Sequence, residues 1–364
     1  MANDNRLIEF FLDLVRINAL SGEERPVADY IIEHLRNLGL DPQEDQVNKN
    51  NGGSSGNVLC RVGEDPESVL LSHMDTARPT AGVHPVVTDD RITSDGNTVL
   101  GVDNRSGIAI LLATVEQAVA QPAEFSDFLV CFTICEETSL LGSKGLVLPE
   151  TIRMGYAFDS SLRPGHFIHG SYGAKRFNIE IHGKAAHSGI EPENGINAIQ
   201  VAARGIDNIP HGRIDEVTTI NLASIAGGSA INVVPDEVTL SGEIRSRDRE
   251  TIDSILSNVE ERFRAVSDEF NASATTKSEW DFVPYKVDEQ DAAYQRLVNA
   301  YHSLGLEPVP HITPAGSDAN SLNGKGIPSL NIGIGAQNPH SNDEFILLED
   351  FHNGRKIADA LLRK

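Results

Sequence analysis

The sequence predicts a protein of the α/β class in which a small α+β domain is inserted into a larger domain built on a mostly parallel sheet. Continuous apolar runs, such as residues 69–71 and 128–135, are typical of strands buried on both faces. Strands in residues 174–286 instead alternate apolar with polar residues, which indicates an antiparallel sheet with one solvated face. The length of 364 residues also favours two domains, because it exceeds what one hydrophobic core normally holds.

Composition limits the possible partners and the compartment. The formal charge of −23 argues against nucleic acid and anionic membranes, because both require a basic surface. Cys60, Cys131 and Cys135 are too few for a disulfide framework and are typical of buried residues in a reducing compartment. No targeting segment or membrane-spanning apolar run is recognisable. We therefore expect a cytoplasmic protein.

The first hundred residues read as two helices followed by two strands. Apolar residues in 7–15 recur at helical spacing, and a capping box from Ser21 to Glu24 opens a second helix that ends at Gly39. Strands at 57–62 and 68–71 follow. The preceding loop formally matches a nucleophile elbow at Ser54, but it lacks the strand before and the helix after that this motif needs. We therefore do not expect Ser54 to act as a nucleophile.

The second of these strands ends in an imidazole and a carboxylate two positions apart. Because alternate residues of a strand point to the same side, His73 and Asp75 face one place. His73 could bind a metal through Nε2 while Asp75 orients its ring. A turn with two solvated polar residues explains this stretch equally well.

Further acidic residues follow the next predicted elements. Asp103 precedes a helix at 108–119, where a plain helix cap is the alternative interpretation. Glu136 and Glu137 end the apolar run at 128–135, and Asp159 ends another short run. The carboxyl ends of neighbouring strands in an open α/β sheet lie along one edge, which is where ligands bind.

The inserted domain has its own pattern of elements. Its predicted order is β-α-β-β-α-β, which is typical of the ferredoxin-like fold. The strands are expected at 176–182, 218–225, 238–245 and 275–283, and the helices at 197–206 and 249–266. The first pattern then returns with a helix at 294–304, a strand at 328–334 and a closing helix at 348–362. We expect residues 1–173 and 287–364 to form the discontinuous first domain and residues 174–286 the inserted one.

Five side chains at these strand ends and turns could hold metal. Two imidazoles and three carboxylates suit two borderline divalent cations with one carboxylate bridging. We favour zinc, with cobalt or manganese as alternatives. The five residues are His73, Asp103, Glu137, Asp159 and His340.

The order His-x-Asp, Gly-x-Asp-Asn, Glu-Glu, Asp and a late His resembles the M20 family of metallopeptidases and, within it, the peptidase T-like tripeptide aminopeptidases. The segments 183–188 and 194–199 look like the family's lid motif, and 72–77 is especially peptidase T-like. The resemblance implies a zinc-exopeptidase-type three-layer α/β/α catalytic domain with an inserted ferredoxin-like domain that acts as lid and dimerisation domain.

The resemblance also implies a role for each metal-site residue. Asp103 would bridge both metals, His73 and Asp159 would complete one site, and Glu137 and His340 the other. Glu136 would be the general base and Asp75 the partner that orients His73. The resemblance further implies that the Asp103–Asn104 peptide bond is cis.

Substrate-binding residues are expected mainly in the lid. His187 is our candidate for a donor to the developing oxyanion, with a solvated loop histidine as the alternative. Asn232, Arg245 and Ser317 are expected to hold the substrate's backbone or carboxylate, although a surface salt bridge explains Arg245 nearly as well. The family resemblance implies a homodimer joined through the lid domains.

Together these observations predict a dinuclear-metal hydrolase of peptide bonds in short peptides. The expected activity is that of an aminopeptidase, with a water activated between the metals as nucleophile and Glu136 as general base. The alternatives are a carboxypeptidase or an N-acyl amino-acid amidohydrolase of the same family. A non-catalytic binding protein on the same fold is a further alternative, which the complete ligand set disfavours.

Overall fold

The structure is a computed structural model that describes residues 2–50, 52–207 and 209–364. It divides into two compact units. Unit 1 comprises the residues up to Gly170 together with Lys286–Thr313 and Ser317–Lys364, and unit 2 comprises Ser171–Tyr285 and Pro314–Gly316. An inserted second domain is therefore confirmed, whereas the bounds expected from the sequence remain a prediction.

Helices and strands alternate along most of the chain. The helices are α1 (Ala2–Val15), α2 (Arg25–Asn37), α3 (Val102–Ala120), α4 (Glu136–Ser139), α5 (Leu141–Gly145), α6 (Ala198–Ile206), α7 (Arg249–Glu269), α8 (Ala292–Ser303), α9 (Asp318–Gly324) and α10 (Leu348–Leu362). The strands are β1 (Gln43–Glu44), β2 (Val58–Val62), β3 (Ser68–His73), β4 (Val86–Val87), β5 (Arg91–Thr93), β6 (Phe128–Thr133), β7 (Met154–Ser160), β8 (His166–Ser171), β9 (Gly173–His182), β10 (Gly212–Arg213), β11 (Thr219–Gly227), β12 (Glu237–Ser246), β13 (Ser273–Phe282), β14 (Tyr285–Lys286), β15 (Val309–Thr313), β16 (Ser329–Gly333), β17 (Ala336–Gln337) and β18 (Phe345–Leu347). None of the helices in the described residues is long and apolar enough to cross a bilayer.

The main sheet of unit 1 has a parallel centre. Its strands follow the order β1-β2-β6-β3-β7-β16-β8. β3 pairs in parallel with β6 and β7, and β7 pairs in parallel with β16. All residues of β3 and β6 are buried, as expected for strands covered on both faces. The carboxyl ends of β6, β3 and β7 therefore lie side by side.

Helices cover both faces of this sheet. On one face Val69 and Leu71 share a buried apolar cluster with Leu322 of α9. On the other face α3 approaches closely at Gly107, where an added Cβ would lie 2.2 Å from the backbone oxygen of Phe158. Any larger residue would push the helix away from the sheet, so the close packing of α3 on the sheet requires glycine at this position. The predicted three-layer α/β/α architecture is confirmed.

Unit 2 has the predicted ferredoxin-like order. Its sheet runs β10-β11-β12-β9-β13 and is antiparallel. Buried residues alternate along β12, so one face of the sheet forms the core. The helices α6 and α7 cover that face, and Phe263 of α7 lies in the core cluster with Ile179 and Val201. Beyond the predicted set, the described residues of unit 2 include the short strand β10 and a short 3₁₀ helix at Pro192–Asn194.

The predicted capping box that opens at Ser21 is wrong. Helix α2 begins at Arg25, and its N-cap residue Glu24 makes no capping hydrogen bond through its side chain. The Ser21 hydroxyl instead donates to Oδ2 of Asp75 at 2.6 Å, and Glu24 accepts from the backbone N–H of Cys135 at 3.0 Å. Glu24 also accepts from the nearby backbone N–H of Gly22 at 2.8 Å. The bonds to Asp75 and Cys135 join positions distant in sequence, which a local pattern does not reveal.

Candidate metal centre

The parallel strands of unit 1 bring the predicted metal ligands to one edge of the sheet. His73 is the last residue of β3, and Asp159 lies near the end of the neighbouring strand β7. Glu137 lies in the short helix α4, which begins three residues after β6 on the other side of β3. Asp103 belongs to the first turn of α3, and His340 lies in the loop between β17 and β18.

The His73 ring faces two of these carboxylates. Its Nε2 atom lies 3.0 Å from Oδ1 of Asp103 and 3.2 Å from Oδ1 of Asp159. Its Nδ1 atom lies 3.0 Å from the backbone oxygen of Asp75. A proton on Nδ1 that is donated to this oxygen leaves the lone pair of Nε2 free for a metal ion.

The His340 ring forms a second group with the same aspartate. Its Nε2 atom lies 3.0 Å from Oε1 of Glu137 and 3.3 Å from Oδ2 of Asp103. The two carboxylate oxygens of Asp103 therefore face two different imidazoles. A carboxylate in this position can bridge two cations.

The backbone and two asparagines support the carboxylates of the site. The Asp103–Asn104 peptide bond is cis, as the family resemblance implies, and both residues have non-helical dihedral angles within α3. Nδ2 of Asn104 donates to Oδ1 of Asp159 at 3.0 Å and to the backbone oxygen of Phe158 at 2.8 Å. Nδ2 of Asn331 lies 3.4 Å from the other oxygen of Asp159. These bonds fix the orientation of the Asp159 carboxylate.

Asp75 is fully buried beneath the site. Its Oδ1 atom accepts from the backbone N–H of Glu136 at 3.1 Å. Its Oδ2 atom accepts from the backbone N–H of Glu137 at 3.1 Å and from the Ser21 hydroxyl. Burial alone would raise the pKa of Asp75, but His73, Ser21 and these N–H groups hold it below its usual value. Asp75 is therefore held as an anion.

The electrostatics of the centre favour a cation. Hydrogen bonds to Asp103 and Glu137 raise the pKa of His340 to about 10. Burial raises the pKa of Glu136, and the negative charge of Asp159 raises it further. Within the described parts of the chain, no lysine or arginine forms an ion pair with any of these four carboxylates. Among the described residues, the two imidazoles are therefore the groups that pair with this crowded negative charge, and bound cations would take over that role.

The donor atoms fit two metal ions. One group consists of His73, Asp103 and Asp159, and the other of Asp103, Glu137 and His340, with the ligand atoms in each group within 4.8 Å of one another. One imidazole nitrogen with carboxylate oxygens is a donor set that borderline cations such as zinc accept.

Three of the predicted substrate-binding residues lie in unit 2. His187 and Asn232 are both exposed. They lie close together, because His187 forms a β-bridge with Val233 and the Asn232 backbone oxygen accepts from Ser188 N–H at 3.0 Å. Arg245 of β12 forms a two-bond pair with Glu243, at 2.6 and 3.0 Å.

The fourth of these residues, Ser317, lies in unit 1. Ser317 is the N-cap residue of α9, and its N–H donates to Oδ1 of Asn320 at 2.9 Å. A substrate-binding role for all four residues remains a prediction.

Sequence reasoning missed several residues that support the centre. They are Ser21, Asn104, Asn331 and Glu344, the last of which accepts from the backbone N–H of His340 at 2.7 Å. Two of them lie close in sequence to predicted ligands, since Asn104 follows Asp103 and Glu344 lies four positions after His340. This proximity was the available signal, whereas Asn331 is placed only by the pairing of β16 with β7.

The chain is similar in sequence to known proteins. The family described as "Peptidase dimerisation domain" of the M20 peptidases matches residues 169–271. An uncharacterised protein of Bacillus subtilis, YqjE, is 30% identical over 368 residues, covering 100% of this chain and 99% of the relative.

Two solved structures are also similar over nearly their whole length. A tripeptidase from Staphylococcus aureus has a TM-score of 0.86 and 32% identity, covering 98% of this chain and 97% of the other. The aminopeptidase PepT from Bacillus cereus has a TM-score of 0.86 and 29% identity over the same shares. The chain therefore belongs to the M20 family of metallopeptidases and, within it, to the peptidase T-like proteins.

Proposed function

We propose that the chain is a dinuclear-metal aminopeptidase that releases amino-terminal residues from short peptides. Asp103 would bridge the two metal ions, His73 and Asp159 would complete one site, and Glu137 and His340 would complete the other. The observation that carries this proposal is the position of Asp103, whose two oxygens lie 3.0 and 3.3 Å from the two imidazoles.

The metals and Glu136 have complementary tasks. Two bound divalent cations would lower the pKa of a water held between them and polarise the peptide carbonyl. Glu136 accepts the proton of the attacking water and passes it to the leaving amine, as a general base and then a general acid. The Asp75 carboxylate contacts the backbone at Glu136 and the ring of His73. It therefore fixes the positions of the base and the metal ligand relative to each other.

The names of the similar structures, an aminopeptidase and a tripeptidase, support tripeptides as substrates. The same proposal includes zinc as the metal, a cytoplasmic location, and a homodimer formed through unit 2, which contains most of the matched dimerisation domain. It also includes roles in substrate binding for His187, Asn232, Arg245 and Ser317.

A chelation experiment with three peptides tests the proposal. Trialanine, its amino-acetylated form and its carboxyl-amidated form are incubated with native, chelator-treated and zinc-restored protein. We expect the native protein to cleave trialanine and its amide but not the acetylated peptide. Treatment with the chelator should abolish this activity, and added zinc, cobalt or manganese should restore it. Unchanged turnover after metal removal would contradict metal-dependent catalysis.

The same panel separates the alternatives. Cleavage of the acetylated peptide but not of the amide would indicate a carboxypeptidase. Release of acetate from N-acetyl amino acids would indicate an amidohydrolase. A complete lack of hydrolysis by metal-loaded protein would favour a binding protein on the same fold.

A further inference from the structure

Glu344 is a buried carboxylate that connects two segments of the metal centre. Its residue is 2% exposed and lies four positions after His340. Its Oε2 atom accepts from the backbone N–H of Gly101 at 2.6 Å and of Val102 at 3.2 Å. Its Oε1 atom accepts from the backbone N–H of His340 at 2.7 Å. One side chain thus satisfies three backbone donors.

Both segments need this support. His340 has a φ of 65°, in the left-handed region that only a few per cent of non-glycine residues occupy, with asparagine, aspartate and histidine enriched among them. Gly101 has a φ of 79°, and an added Cβ would lie 2.8 Å from Cγ2 of Thr80. Without the carboxylate, the buried N–H groups of Gly101 and Val102 would lose this acceptor, and leaving a buried donor unsatisfied is costly.

The bonded groups lie directly beside metal ligands. Val102 precedes Asp103, and the third N–H belongs to His340 itself. Asp103 and His340 are the two ligands that form the second group with Glu137. His73 and Asp159, which form the other group with Asp103, are not among the hydrogen-bond partners of the Glu344 side chain in the part of the chain that the structure describes.

We propose that Glu344 is a positioning residue that holds Asp103 and His340 at the separation needed for the metal ion that they share with Glu137. This inference rests on the proposed function, because that ion belongs to the proposed catalytic centre. A purely structural role would stabilise the fold without changing the affinity for metal.

Glu344→Gln in the full chain is the direct test. Glutamine keeps the volume but offers one acceptor oxygen, so it cannot serve both segments. The matched control is Asp350→Asn, which alters another buried carboxylate whose partner is Arg163, at 2.8 Å between Nη2 and Oδ1. Metal-free proteins are titrated with zinc in a metal buffer, and bound metal is counted.

We expect wild type and Asp350→Asn to bind two ions with equal affinity. In Glu344→Gln one of the two ions should bind about 10–100-fold more weakly, the range typical of residues that orient metal ligands. Activity on trialanine should fall in parallel and return in excess zinc. Equal affinity of both ions for the variant and wild type would overturn the proposal.

Hydrogen exchange in the metal-free proteins separates this inference from the proposed function. The amides of Gly101, Val102 and His340 should exchange faster in Glu344→Gln than in wild type, and at the wild-type rate in Asp350→Asn. Unchanged exchange would overturn the role of Glu344 even if the enzyme is metal-dependent. Failure of the wild type to bind metal would reject the proposed function and, with it, a role of Glu344 in metal binding.

Glu344→Asp serves if the glutamine variant does not fold. The shorter side chain keeps the charge but reaches one segment only. The same loss of affinity and faster exchange are expected for it, and wild-type values for both would contradict the proposal.

Discussion

The buried carboxylate of Asp75 accepts a hydrogen bond from the backbone N–H of Glu136 at 3.1 Å and lies 3.4 Å from Nδ1 of His73. A single side chain therefore contacts both the proposed metal ligand and the backbone of the proposed general base. The hydroxyl of Ser21, in the loop before α2, donates a further hydrogen bond to the Asp75 carboxylate.

Asp75→Asn should weaken metal binding and lower kcat together. The amide group retains one acceptor oxygen and places a donor toward an N–H group of α4, so α4 loses a hydrogen bond. His73 keeps the backbone oxygen of residue 75 as acceptor but loses the negative charge beside its ring. We expect a loss of about 10–100-fold in kcat, measured on trialanine with metal in excess. Ser21→Ala removes one of the donors to Asp75 and should produce a smaller loss. A wild-type kcat for Asp75→Asn would contradict this role.

Glu136→Gln should abolish most turnover and leave both metals bound. Glutamine cannot accept the proton of the attacking water, and general base catalysis contributes about 10²–10⁴-fold. Steady-state kinetics and metal analysis on the same sample check this expectation. The neighbouring variant Glu137→Gln should lose metal as well as activity, which distinguishes the two glutamates. Retained turnover in Glu136→Gln would exclude it as the base.

His73→Ala and His340→Ala should each lose affinity for one ion. Each imidazole serves one of the two groups, while Asp103 is shared. We expect one tightly bound ion in each single variant and none in Asp103→Ala, counted after dialysis against limiting zinc. Two ions retained in His340→Ala would show that its ring does not complete the second site.

Phe263→Ala should destabilise unit 2 by about 3–5 kcal/mol, because it leaves a cavity in a close-packed core. The ring is fully buried, and a Cβ added at Gly205 would lie 2.4 Å from it, so α6 and α7 pack tightly here. Denaturant unfolding monitored by circular dichroism measures the change. The exposed Glu260 of the same helix is the control, since Glu260→Ala should change stability by about 0.5 kcal/mol or less. Similar midpoints for the two variants would contradict this packing.

His34 should make the free energy of unfolding depend on pH. Burial lowers the pKa of His34 below its usual 6.5; Glu116 opposes this shift and Arg6 reinforces it. The unfolded chain therefore binds a proton more readily, so the contribution of His34 is present above pH 6.5 and is lost as pH falls through the lowered pKa. His34→Gln should show a flatter dependence between about pH 7.5 and 5.5 in urea unfolding of metal-free protein. An unchanged slope would contradict the lowered pKa.

The sequence predicted the site residues that lie at the ends of regular strands. Apolar runs that end in His73 and Asp159 revealed buried strands and their functional edge, because strand periodicity fixes where side chains point. The alternating segments revealed the β-α-β-β-α-β order of unit 2 for the same reason.

The supporting contacts could not be derived in this way. Ser21 matched a helix cap, yet it bonds to Asp75, which lies 54 positions away. Glu344 reaches Gly101 across 243 positions. Histidine is enriched in the left-handed region, but most histidines lie elsewhere, so the residue type alone does not predict the backbone at His340. Such contacts depend on how distant loops meet, and local propensity carries no information about that.

The most direct test of the dinuclear centre is anomalous diffraction from crystals grown with zinc. We expect two peaks about 3.5–4 Å apart, one bonded to His73 and Asp159, the other to Glu137 and His340, with Asp103 bonded to both. A single peak, or peaks away from Asp103, would contradict this arrangement.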